Sequence, residues 1–142
     1  MIQLAFYRGR KRLVNRGIAD LTGGPFSHVE AILQYFNNGW ALCVSASMMD
    51  GGVRVKLINI STPDWVLVTI ETDATAADAW EWFYKHSRAK YDYKGALRYK
   101  VPFLRQSPRK KYCSEAISEI LNLPKSNHPN GLFDDLQQYM IF

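Results

Sequence analysis

The chain has 142 residues, 47% hydrophobic and 22% charged, a length and balance that suit one globular domain, 1–142, and exclude a disordered polymer. No apolar run approaches the roughly 18 residues of a membrane span, and two cysteines, Cys43 and Cys113, do not make a disulfide framework. The net charge of +5 gathers in RGRKRLVNR (8–16) and RYKVPFLRQSPRKK (98–111), either as a solvated basic surface or as a phosphate-binding one, with no zinc-finger spacing, RNP aromatics or basic heptads to favour nucleic acid.

IQLAFYR (2–8) predicts a short strand. Leu13, Gly17, Ile18 and Leu21 predict a helix over 10–22, ended by TGGP (22–25). A strand follows over about 27–36. Asn38-Gly39 is a strong two-residue hairpin signal; a turn there pairs residues whose numbers sum to 77, so Val29 faces Met48, Ala31 faces Ala46, Leu33 faces Val44 and Tyr35 faces Leu42. One face is then apolar. The other carries His28 and Glu30 beside Cys43, Ser45 and Ser47, with Glu30 opposite Ser47.

DGG (50–52) turns the chain into a third strand, 53–60, with Arg54 and Lys56 on one side. WVLVTIE (65–71) has the β-branched continuity of a buried strand. Thr75 with Asp78 forms a capping pair for a helix to about Ser87 that buries Ala76, Trp80, Phe83 and Tyr84. YDYKGALRY (91–99) reads as a short helix or turn, and 101–111 as an irregular basic connection. YCSEAISEILNLP (112–124) predicts a helix stopped by Pro124, and HPNGLFDDL a last short helix begun near Asn130. The composition of α and β segments is that of an α+β protein: an antiparallel sheet of about four to five strands packed against helices, the Cys113 helix among them.

Two readings compete at Cys113. A thiol at a helix start, after Arg109, Lys110 and Lys111, has the positive surroundings that favour a nucleophilic thiolate, and the backbone N–H groups of Cys113 and Ser114 would be natural oxyanion donors. Equally, Cys113, Ile117, Ile120 and Leu121 form one helical stripe, as an inert core thiol would. His28 has the same duality. It is a candidate base whose tautomer Glu30, on the same strand face, can fix, with Ser45 and Ser47 as alternates; or both groups simply face water. His86 and His128 read as helix-surface and loop residues. The histidines are too far apart for a zinc site, and there is no phosphate loop, so neither metal nor cofactor is expected.

SHVEAIL (27–33), a hairpin, DGGVR (50–54), YCSE (112–115) and HPNGLFDDL (128–136) occur here in one order. This resembles the circularly permuted papain-like amidohydrolases of the NlpC type, relatives of the lecithin retinol acyltransferase-like proteins, with His before Cys in the chain. The resemblance spans about residues 1–138. It implies a permuted papain-like fold with Cys113 as nucleophile and His28 as base in a thiol amidohydrolase, peptidase- or amidase-like. The bond cleaved would be an amide, isopeptide or lipid ester. It further implies a small bacterial or phage member. Relatives place the third polar group on the strand after the histidine strand, where this chain has only Ser45 and Ser47, so Glu30 is the expected orienting residue; the Gly-Asp opening usual near the first strand is missing. MIQLAFYRGRKRL has its charges after its apolar stretch, the reverse of a secretory leader, and the expected setting is the cytoplasm of a bacterium or phage-infected cell. The alternatives are a small basic nucleic-acid-binding protein or a catalytically silent papain-like binding module.

Overall fold

The computed structural model describes residues 1–9, 24–47, 52–87, 108–126 and 128–141, with the backbone alone for 108–112. Among them the chain order is β1 (Ile2–Tyr7), β2 (His28–Tyr35), β3 (Trp40–Ser47), β4 (Gly52–Asn59), β5 (Trp65–Ile70), α1 (Ala76–Ser87), α2 (Pro108–Ile120), α3 (Pro129–Leu136) and β6 (Met140–Ile141). The strands form one antiparallel sheet in the order β4-β3-β2-β1-β5-β6. The class is α+β. The sheet is larger than the expected four to five strands because Met140 and Ile141 pair with Ile70 and Thr69, and a two-residue strand carries no periodicity to predict it. The helix expected over 10–22, the segment 91–99 and most of the basic connection 101–111 lie outside the described residues, as do most of both basic clusters.

The β2–β3 hairpin does not have the two-residue turn its Asn38-Gly39 suggests. Asn38 and Gly39 do take positive φ, 67° and 81°, but the loop is a three-residue 3-10 turn closed by Phe36 N–H donating to the Trp40 carbonyl at 2.8 Å. Tyr35 therefore pairs Ala41 and Gln34 pairs Leu42; then a bulge between Ile32 and Gln34 brings Ile32 opposite Cys43 and Ala31 opposite Val44. Each irregularity displaces the register by one residue. One alone would exchange the faces, whereas two together restore them. The paired residues are wrong by two, yet the faces are as expected.

Val29, Ala31, Leu33 and Val44 join Leu4, Phe6 and Ile70 in the main core. Cys43, Ile32, Ala41, Ala5 and Ile60 form a smaller apolar cluster. α2 lies against β2 and β3 and buries the stripe of Cys113, Ile117, Ile120 and Leu121, each aliphatic side chain contributing about 1.5–3 kcal/mol by leaving water. α1 begins with the expected capping pair: Thr75 N–H donates to Asp78 Oδ2 at 2.8 Å and Asp78 N–H to Thr75 Oγ1 at 3.4 Å. It buries Ala79, with Trp80 and Phe83 packed at the core margin. Tyr84, expected inside, is 66% exposed.

Candidate active site

β2 delivers His28 and Glu30 to one face of the sheet, two residues apart, as strand alternation requires. Glu30 is fully buried, whereas the His28 side chain keeps 19% of its surface exposed. Their contact is direct: His28 Nε2 lies 2.6 Å from Glu30 Oε1. Glu30, the residue the sequence offers as orienting partner, thus contacts the ring, and it has a second contact that was not anticipated. Arg54 on β4 donates from Nη1 to Glu30 Oε2 at 2.7 Å, and its Nη2 contacts Glu30 Oε1. This two-pronged contact is the geometry in which guanidinium and carboxylate bond best. Arg54 Nη2 also stands 3.4 Å from His28 Nε2. A protonated imidazole and the guanidinium therefore share one carboxylate oxygen.

Cys113 reaches this cluster from α2 and hydrogen-bonds with the His28 side chain. Segments 85 residues apart in the chain thus meet at one imidazole. Cys113 has no exposed surface, in keeping with its place in the apolar stripe of α2.

The electrostatics follow from burial and partners. Burial works to lower the His28 pKa, but the Glu30 charge, the hydrogen bonds to Cys113 and Glu30 and the attraction of Cys113 outweigh it, raising the pKa from 6.5 to about 10. At neutral pH the ring is an imidazolium. Burial works to raise the Glu30 pKa, but the charges and hydrogen bonds of His28 and Arg54 hold it below its ordinary range. Cys43 shows the opposite environment. Burial and the nearby Glu30 charge, only partly countered by Arg54, push its thiol up to about 12, and its Sγ rests 3.7 Å from the Ala41 carbonyl. It is an inert core thiol.

The alternates do not orient the ring. Ser45 Oγ donates to the Val29 carbonyl at 2.7 Å, and Ser47 pairs Gly52 at the end of β3. Extending the Ala31–Val44 pairing by one residue sets Ser45, not Ser47, beside Glu30.

The helix position of Cys113 also needs correction. α2 begins at Pro108, where proline is pre-organised for a first helical residue and the following Arg and Lys residues are good helix formers. Cys113 is then the sixth helical residue. Its N–H and that of Ser114 fall past the first turn, inside the helical hydrogen-bond ladder, and are not the free oxyanion donors expected. One buried hydroxyl lacks a partner one residue before His28 in the chain. Ser27 Oγ is the sole buried side-chain nitrogen or oxygen without a hydrogen-bond partner among the described residues.

Arg54 is the site residue that sequence reasoning missed. Its signal was its strand alternation beside the Ser45 strand, which pairs it with Ser45. Among the described residues, no group of three or more His, Cys, Asp or Glu side chains is placed to hold a metal ion, and no helix is long and apolar enough to cross a membrane. No protein-family model, curated protein or solved structure matches this chain.

Proposed function

We propose that this chain is a thiol acyl hydrolase or acyltransferase of permuted papain-like architecture, acting on an amide or ester. Cys113 is its nucleophile, His28 its acid–base group and Glu30 the residue that orients the imidazole. The observation that carries this reading is the line of contact from Cys113 to His28 to Glu30, with 2.6 Å at its second link. A nucleophile, a base and an orienting carboxylate in sequence are what acyl transfer requires. The chain order, with the histidine strand before the cysteine helix, supports the permuted arrangement.

With Nε2 on Glu30, Nδ1 is the ring nitrogen left to face the sulfur. His28 carries its proton at rest, because its pKa stands near 10, and the form that reacts is a Cys113 thiolate with this imidazolium beside it. The sulfur attacks the substrate carbonyl carbon, and the carbonyl electron pair moves onto oxygen. When that pair returns, the bond to the leaving nitrogen or oxygen breaks and His28 donates its proton to the departing atom. Water then adds to the thioester carbonyl, one of its protons passing to His28; the C–S bond breaks, the acid leaves, and the thiolate is restored beside the imidazolium.

Full burial of Cys113 favours one second reading, a silent polar cluster that only stabilises the fold. Iodoacetamide separates the two. Carboxamidomethylation mapped by mass spectrometry should occur at Cys113 at pH 6–7 and at least about 100-fold faster than at Cys43, whose raised pKa leaves almost no thiolate there. Equal, slow modification of both thiols selects the silent cluster.

A further inference from the structure

We infer that Asn130 is a positioning residue of the site, whose side-chain amide sets the place of His28 by binding both backbone groups of Phe26. The inference rests on the acyl-transfer reading and extends it to a residue 102 positions from the histidine. Asn130 Oδ1 accepts from Phe26 N–H at 2.9 Å, and Asn130 Nδ2 donates to the Phe26 carbonyl at 2.9 Å. This is the pair of bonds that a neighbouring strand would make, supplied by one side chain where β2 has not yet begun. The amide is buried, 7% exposed, so water does not readily replace it.

The approach is close. A Cβ on Gly24 would stand 2.4 Å from Asn130 Cγ and Oδ1, so the backbone at 24 is glycine where the amide passes. The Phe26 ring is held from the same helix, its centroid 4.7 Å from that of Phe133. One residue on, Ser27 N–H donates to the Tyr7 carbonyl at 3.0 Å. His28 is thus placed between a β1 ladder on one side and α3 on the other.

Asn130 is in turn fixed to the cysteine helix. His128 caps α3, its Nδ1 accepting from Gly131 N–H at 2.9 Å, and Pro129 occupies the first helical position. Just before it, Ser126 is tied to α2: Ser114 Oγ donates to its carbonyl at 3.0 Å and its N–H donates to Ser118 Oγ at 3.3 Å. Ser126 therefore holds the Cys113 helix, and Asn130 the residues that lead into the His28 strand. A shift of about 1 Å between reacting groups is enough to cost roughly 100-fold in rate, so such a brace bears on chemistry and not on folding alone.

The test is the pH profile of Cys113 carboxamidomethylation in Asn130→Ala and in Gly24→Ala, beside wild type and His28→Ala, with folding checked by circular dichroism. Both variants should lose about 10- to 100-fold in rate at pH 6 and move towards the His28→Ala profile. At pH 10 they should stay within about twofold of wild type, because hydroxide then stands in for the imidazole as the base. General loosening would instead raise the rate at every pH by uncovering the sulfur. That result, or wild-type profiles in folded variants, overturns the inference. Asn130→Asp, which keeps the acceptor for Phe26 N–H and withdraws the donor, serves with the same two outcomes should the alanine variant not fold. If His28→Ala itself matches wild type, the acyl-transfer reading fails first; if it departs while Asn130→Ala and Gly24→Ala do not, only the positioning role fails.

Discussion

Cys113→Ala should abolish the release of nitrophenol from p-nitrophenyl butyrate, and His28→Ala should lower it by about 10²–10⁴-fold, the usual worth of a positioned acid–base group. On the proposed mechanism the thioester forms on Cys113, so mass spectrometry of a quenched wild-type reaction should find the butyryl group there and not on Cys43. The two single substitutions should not add. Once the nucleophile is gone, the imidazole has no proton to exchange, and the double variant should equal Cys113→Ala. Ser45→Ala serves as the control, since its hydroxyl bonds a β2 carbonyl and not the ring. Equal turnover in all these variants would remove the nucleophile and its partner together.

Arg54→Met should destabilise the protein by about 3–5 kcal/mol, the cost of removing one partner from a buried ion pair, since His28 alone then remains on the Glu30 carboxylate. The expectation rests on burial: Glu30 is fully inside, and the Arg54 side chain is only 11% exposed. Glu30→Gln combined with Arg54→Met should recover part of the loss, because the carboxylate oxygen that Arg54 bonded at 2.7 Å is then no longer charged. Urea unfolding reads both. A change below about 1 kcal/mol for Arg54→Met would class the pair with surface ion pairs.

The same contacts fix the direction of pH dependence. The folded pKa of Glu30 is depressed, so its contribution is present above the ordinary carboxylate value of 4.5 and lost as acid carries the protein through the lower folded value. The folded pKa of His28 is raised, so its contribution is full below 6.5 and lost as pH climbs through about 10. Stability should therefore crest between about 4.5 and 6.5 and decline on the alkaline side. Glu30→Gln should flatten that alkaline decline, because it removes the charge that most favours the imidazolium.

What the sequence displays and what it conceals divide along local and non-local lines. β2 through β5 have their own periodicity and turn residues, and α1 has Thr75 and Asp78 at capping distance, so these elements are legible. Partners across the sheet are another matter. That β1 lies between β2 and β5 follows from packing that no short window contains. The hairpin shows how a strong local signal misleads: Asn38 and Gly39 adopt the left-handed backbone their chemistry favours, yet loop length and a bulge three residues inside the strand set the register. Glu30 beside His28 is readable because strand alternation alone puts them on one face. Arg54 is two strands away from Glu30, and only the full β2-β3-β4 order brings its guanidinium to the carboxylate. The start of α2 was misread because Pro108 looks like the end of an irregular connection while serving as a first helical residue.

The imidazolium of His28 is the centre of this account, and its titration can be watched directly. Nitrogen and proton resonance shifts of the His28 ring, followed from pH 5 to 11, should keep imidazolium values through neutrality and change with a midpoint near 10. A ring that becomes neutral with a midpoint near 6.5 would mean that neither Glu30 nor Cys113 holds its proton, and the proposed thiolate–imidazolium pair would not exist.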